Sequence, residues 1–373
     1  MKIRQTVLAL NHIFILLCAG CSESEWTEPF AERVPITITD SIGVDIGDSC
    51  MVFGSISDAE FSPSGEIYVL DQAACCIRKY SPEGEYLLTL SRHGNGPGEM
   101  ILPSEITVMQ NGNIVIRDPV KSSLMVIDPD GASVAEFDDW PMYSPPEGIV
   151  SLCDDRFAGY RPNIGLEGEN ALIVLKPAIY SLDDAGTVTE FTSDTLTVNI
   201  EEMASSLNGL QGISAMASDG EGRVFYARSM SEDYEVRCWN TAGDDLFAFS
   251  LNIPPVEKTP QEIQDEIGYA GIRLASFGGS LPAGFEPDPF HDLVEDMGVD
   301  GRGNLWIQRG TEAYPVFDVV NPEGAHIATA EYPRPGRLWK FSITPHGSLA
   351  WDLDPASGTQ RIYMLDLPEL HGR

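Results

Sequence analysis

Apolar residues in this chain fall in short runs punctuated by Gly, Pro, Asp and Asn, and the pattern is legible in the stretch from Phe61 to Glu99. It reads Phe61-Ser-Pro-Ser-Gly65-Glu-Ile-Tyr-Val-Leu-Asp71, then Cys76-Ile-Arg-Lys-Tyr80-Ser-Pro-Glu-Gly84-Glu-Tyr-Leu-Leu-Thr-Leu90, then His93-Gly-Asn-Gly-Pro-Gly-Glu99. Runs of this length, rich in β-branched and aromatic residues and bounded by turn residues, predict strands. The glycines supply the positive φ that tight hairpins require.

The same unit recurs. The first turn returns at Asn111-Gly112, Glu221-Gly222, Arg302-Gly303 and His346-Gly347, each followed at once by an apolar run, with Asp154-Asp155-Arg156-Phe157 as a copy lacking the glycine. The second turn returns at Pro129-Asp-Gly131, Asp184-Ala-Gly186, Thr241-Ala-Gly243 and Pro322-Glu-Gly324. Gly65 and Gly112 lie 47 residues apart and Gly303 and Gly347 lie 44 apart. A period of ~40–50 residues with four strands per unit predicts an all-β fold, a β-propeller. Six units start near Asp58, Glu105, Glu147, Gly212, Glu295 and Lys340. The last holds only three strands. The alternating segment Ile36–Val44, which precedes the first unit, is expected to supply its fourth and close a six-bladed ring without an exposed edge.

Residues 254–292 break the period. Thr259-Pro-Gln-Glu262 reads as a capping box with Pro at the first helical position, predicting a short helix to about Ile267, followed by an irregular loop rich in Gly and Pro. Long insertions in compact domains serve as lids or binding loops, or merely decorate the surface.

Charge narrows the partners. With 57 acidic and 23 basic residues the net charge is −34, and no Lys/Arg cluster interrupts it. Such a surface repels nucleic acid. Residues 1–20 form a separate segment with basic Lys2 and Arg4, an apolar stretch from Thr6 to Leu17, and a small-residue site at Cys18-Ala-Gly-Cys21. The apolar stretch is shorter than the ~20 residues needed to span a bilayer. Residues 21–33 read as a polar tether and 34–373 as the propeller. Of the seven cysteines no two have metal-finger spacing; Cys50 bridged to Cys75 or Cys76, or buried free thiols, are both compatible with the sequence.

Two resemblances sharpen this. The N-terminal segment resembles a bacterial lipoprotein signal, which implies cleavage before Cys21, lipid attachment there, and, with Ser22 following, the outer membrane; an ordinary secretory signal cut nearby is the other reading. The Gly65–Asp71 run, the Ile77–Tyr80 strand and the Gly94–Glu99 connector resemble bacterial six-bladed β-propeller lipoproteins related to NHL-repeat proteins. That resemblance implies fold and location more than activity.

The chemistry is sparse. Gly94-Asn-Gly-Pro-Gly98 has neither the strand-to-helix context nor the following Lys-Ser/Thr of a phosphate loop, so it is expected to be a turn. Asp71 and Asp118 recur at one position and are expected to cap turns. At the starts of the innermost strands stand Asp58, Glu105, Glu147, Ala215, Asp296 and Lys340. Up to four carboxylates and one cation would thus ring a channel mouth, able to hold Ca²⁺ or a cationic ligand through oxygen atoms. No G-x-S-x-G elbow occurs, and the histidines fall at non-equivalent places. The expected function is a lipid-anchored module binding a protein, peptide or glycan. The alternative is a gluconolactonase-like metal-dependent hydrolase or lyase with Asp58, Glu105 and Asp296 as ligands.

Overall fold

A computed structural model describes residues 33–140, 145–153, 155–167, 170–183, 186–199, 214–229, 234–251, 253–276, 280–281, 284–310, 313–336, 338–353 and 360–370. Residues 1–20, read from the sequence as a signal, Cys21, the stretch read as a tether up to residue 32, Gly212 and His371 lie outside the described residues.

The chain is a six-bladed β-propeller. Blade one comprises β3 (Ile56–Phe61), β4 (Ile67–Asp71), β5 (Cys76–Tyr80) and β6 (Tyr86–Leu90). Blade two comprises β7 (Glu105–Val108), β8 (Ile114–Asp118), β9 (Ser123–Ile127) and β10 (Ser133–Phe137). Blade three holds β11 (Glu147–Ser151), β12 (Arg156–Glu167), β13 (Asn170–Ser181), β14 (Thr187–Glu190) and β15 (Asp194–Asn199). Blade four holds β16 (Ser214–Ser218), β17 (Arg223–Arg228), β18 (Glu235–Asn240) and β19 (Asp245–Ser250). Blade five runs β20 (Asp296–Val299), β21 (Leu305–Arg309), β22 (Val316–Val320) and β23 (His326–Glu331). Blade six takes β24 (Trp339–Thr344), β25 (Gly347–Asp352) and β26 (Ile362–Asp366) from the end of the chain.

Its fourth strand is N-terminal. β2 (Thr37–Ile42) pairs antiparallel with β26, Thr37 opposite Asp366 and Ile42 opposite Ile362. Just before it, β1 (Val34–Pro35) adds a parallel fifth strand to β23. The first described residues therefore tie the last two blades together.

Hydrophobic cores lie in each of the six seams between neighbouring blades. The second strands of blades one, two and five are short and buried along their whole length, as expected for sheets covered on each side. The N-terminal strand serves two seams: Ile36 packs between blades five and six, and Ile42 between six and one, each 1% exposed.

The repeat glycines at 65, 84, 112, 131, 243, 303 and 324 have φ between +81° and +90°. Two first-turn glycines have another reason to be glycine or none. Gly220, not Gly222, takes the left-handed position in blade four. At Gly347 a Cβ would sit 2.4 Å from the Phe61 ring, so close packing across the seam excludes a side chain there. Asp155, at φ +55°, occupies the turn position in blade three for which other blades use Gly.

Two elements exceed their expectation. The insertion helix, α1 (Pro260–Ser276), has the expected box: Glu262 N–H donates to Thr259 Oγ1 (3.3 Å) and Thr259 N–H to Glu262 Oε2 (2.6 Å). It passes Ile267 and continues to Ser276, because Gly268 and Gly271 are tolerated inside it while the apolar positions Ile263, Ile267 and Ala270 keep helical spacing. In blade three, β12 and β13 pair through Glu167 and Asn170, far beyond the blade proper, and β15 joins the distal half of β13. At ~3.3 Å per residue this arm rises roughly 20 Å past the blade.

Candidate functional site: the channel mouth

The innermost strands β3, β7, β11, β16, β20 and β24 neighbour one another in a closed ring. They enclose a central cavity of about 690 Å³. Asp58, Glu105, Glu147, Asp296 and Lys340 all line it, each half-buried, and Ala215 lines it where the fourth blade lacks a carboxylate. The structure thus brings all five sequence-selected residues to one channel.

Their side chains are not idle. Innermost strands of adjacent blades belong to different sheets, so their edge N–H groups need other acceptors. Ile106 N–H donates to Asp58 Oδ2 (2.9 Å), Val108 N–H to Glu60 Oε2 (3.1 Å), and Ile149 N–H to Glu105 Oε2 (3.2 Å). Arg117 Nη2 donates to Glu147 Oε1 (2.6 Å), and Arg117 Nη1 lies 3.5 Å from Glu105 Oε1 and donates to Ser104 Oγ (3.0 Å). Lys340 Nζ is 3.9 Å from Asp296 Oδ2.

Electrostatics follow from this crowding. Burial, with repulsion from Glu105 and Asp296, pushes the Asp58 carboxyl up to about 8. Burial and the nearby Asp58 push Glu60 up to about 8 as well. Burial raises Glu147 although Arg117 opposes it, and raises Asp296 although Lys340 opposes it. Part of the ring is therefore protonated near neutrality, and the mouth carries less charge than its carboxylates suggest.

Glu60, Arg117 and Tyr160 were not anticipated. Hairpin register held the signal: Arg117 stands opposite Glu105 and Tyr160 opposite Glu147 across their first turns. Glu60 follows Asp58 by two positions on the same strand, hence on the same face. At the far end of the channel Gln110 Nε2 and His346 Nε2 lie 3.4 Å apart, and burial lowers the His346 pKa.

The connectors from each outer strand to the next inner strand reach the carboxylate end, so the 254–292 insertion stands on that face. Its base is closed by Lys258 N–H donating to Pro289 O (2.7 Å) and His291 N–H to Val256 O (3.0 Å). Lys258 Nζ pairs with Glu266 Oε2 on α1 at 2.8 Å. Asp292 is pushed up to about 6, first by burial, then by Asp288 and Glu266 against the opposing charges of Lys258 and Lys340. The charge of Lys340 at the mouth thus reaches Asp292 at the base of the insertion. The same face exposes Ile46, Val120, Val256, Phe290 and Tyr314 on its loops.

The turn readings hold. Asp71 accepts from the N–H groups of Gly54, Ser55 and Ala74, and Asp118 from those of Ile101, Leu102, Val120 and Lys121. In the Gly94–Glu99 connector, Gly96 N–H donates to Glu99 Oε2 (2.9 Å), so the loop's own carboxylate fills it. Cys50, Cys75, Cys76, Cys153 and Cys238 are free thiols.

A metal does not fit the mouth. Among the described residues no three His, Cys, Asp or Glu side chains are grouped to hold an ion. Asp58 and Glu105 each give an oxygen to a neighbouring blade, and Asp296 faces Lys340.

No protein-family model matches the chain, and no curated protein matches it in sequence. Solved structures do match in shape. A protein of Bacteroides fragilis presumed to be exported is 13% identical, with 92% of this chain and 98% of that one covered at a TM-score of 0.51. A DUF4221 family member from Bacteroides vulgatus is 11% identical over 91% and 99%, at 0.50. A gluconolactonase from Xanthomonas campestris is 10% identical over 91% and 99%, at 0.46. No helix among the described residues is long and apolar enough to cross a membrane. Identities this low speak for the fold alone: this chain is a six-bladed propeller whose structural neighbours include bacterial propeller proteins.

Proposed function

We propose that the protein is an extracytoplasmic binding module, held on the outer membrane by lipid at Cys21, that takes a protein, peptide or glycan ligand at the carboxylate-lined channel mouth. The observation that carries this reading is the convergence of Asp58, Glu105, Glu147, Asp296 and Lys340 on one cavity, at the face where the insertion stands. A cavity of several hundred Å³ with a few convergent polar groups is the usual form of a ligand site. Apolar side chains exposed on the surrounding loops, Phe290 at 41% and Tyr314 at 40%, give a larger ligand further surface to contact.

The hydrolase alternative loses its support at the proposed ligands, because Asp58, Glu105 and Asp296 do not form a metal-binding group.

Two measurements test the proposal. Replacing Cys21→Ser should move the protein from the membrane to the soluble fraction; unchanged membrane retention overturns the anchor. Replacing Asp296→Asn together with Lys340→Met should abolish ligand retention in envelope extracts while leaving the fold intact by circular dichroism; undiminished retention overturns the site.

A further inference from the structure

The wall of the channel holds polar groups that the fold leaves unsatisfied. Among the described residues, the indole Nε1–H of Trp351, the Nε–H of Arg117 and the hydroxyl of Ser57 are enclosed and find no hydrogen-bond partner. Trp351 is 3% exposed and Arg117 8%, and all three residues belong to the cavity lining. They come from blades six, one and two, so the unmet valences lie along one side of the channel, across three consecutive blades. An unpaired buried donor is costly, because folding removes it from water without giving it another acceptor. An oxygen atom brought by a ligand, with small side-chain adjustments, would satisfy them.

The chemistry of that ligand follows from what stands beside these donors. Carboxylates outnumber Arg117 and Lys340 around the cavity, so an anion would be repelled. A bare metal cation finds no group of three ligands. A hydroxyl meets both needs at once, because it donates to a carboxylate and accepts from an N–H with the same oxygen. The remaining polar lining, with Ser104, Thr107, Ser214 and Ser342, is of the same donor–acceptor kind.

Resting on the binding-module reading above, we infer that the channel mouth recognises an uncharged polyhydroxylated ligand, a segment of glycan. Its hydroxyls donate to Glu105, Glu147 and Asp296 and accept from Trp351 and the Lys340 ammonium.

The test is isothermal titration of the full-length protein, held in a detergent without a sugar headgroup, against neutral trisaccharides of glucose, mannose, galactose and N-acetylglucosamine. Trilysine serves as the cationic-peptide comparison. At least one trisaccharide is expected to bind at millimolar concentration or below, and Trp351→Phe, which keeps the ring and removes the N–H, should weaken it by about two- to tenfold, the worth of one neutral hydrogen bond. Lys340→Met serves as a second variant at a half-buried position of the wall, should Trp351→Phe not fold, and is expected to weaken binding at least as much. Binding of trilysine without any trisaccharide overturns the glycan inference and leaves a ligand site at the mouth. Binding of neither counts against both. A trisaccharide that binds wild type and both variants equally also overturns the inference.

Discussion

Asp58 on the inner strand of blade one accepts a hydrogen bond from the backbone N–H of Ile106 on the inner strand of blade two, at 2.9 Å. Glu60 and Glu105 make the corresponding bonds to Val108 and Ile149. The carboxylates of the channel therefore do two things: they satisfy the edges of neighbouring sheets, and they furnish the mouth. Edge N–H groups facing a channel would otherwise have only water or a ligand to pair with.

Because Asp58 and Glu60 are both pushed up to about 8, stability should depend on pH in an unusual direction. In the unfolded chain these carboxyls ionise at their ordinary values near pH 4, whereas the folded protein keeps them protonated. Their contribution is fully present below that range and is lost as pH rises through the folded value. Asp58→Asn and Glu60→Gln keep a carbonyl acceptor and remove the titration. Each variant should match or fall below wild type at pH 4 and exceed its melting temperature by about 2 °C or more at pH 8.5. Thermal melts across pH check this, and parallel wild-type and variant profiles would refute it.

The ring depends on its N-terminal strand. Ile42 is 1% exposed in the seam between blades six and one, so Ile42→Ala should cost ~2–5 kcal/mol of stability. Deleting residues 34–42 bares the β26 edge and should produce concentration-dependent association as well. Urea denaturation and analytical ultracentrifugation read the two effects.

A buried ionic group locks blades four and five. Arg309 grips Asp318 with Nε to Oδ2 (2.8 Å) and Nη2 to Oδ1 (2.6 Å), while Tyr234 donates to Oδ2 (3.0 Å) and His326 Nε2 lies 3.1 Å from Oδ1. Burial alone would raise the Asp318 pKa, but Arg309 and His326 together hold it below the usual carboxylate range. Its stabilisation is therefore present above the ordinary aspartate pKa and is lost as pH falls through the folded value. Asp318→Ala takes from the buried Arg309 the carboxylate that both Nε and Nη2 hold, and should cost ~3–5 kcal/mol, measured by denaturant unfolding at pH 7. A loss within ordinary surface scatter, about 0.5 kcal/mol, would contradict this role.

The architecture was legible because each blade repeats the same hairpin code, and the short sixth unit and orphan N-terminal strand accounted for each other. The channel-facing positions were legible for the same reason, since a fixed offset from the first-turn glycine reaches the channel in every blade but the third, which lacks that glycine. The blade-three arm was not, because Arg161–Glu167 continues β12 through Pro162 and Gly165, residues that ordinarily end a strand. The orphaned indole of Trp351 was hidden too: whether an N–H finds a partner depends on neighbours brought from other blades.

Covalent footprinting can show whether ligands are taken at the channel mouth. Carbodiimide labelling of carboxylates and acetylation of lysines would be read by mass spectrometry with and without glycans and peptides from envelope extracts. Binding at the mouth should protect Glu105, Glu147, Asp296 and Lys340, with the outer strands around Glu85 and Asp245 labelled equally in both samples. Protection on those outer strands with the mouth unchanged, or no protection anywhere, would contradict it.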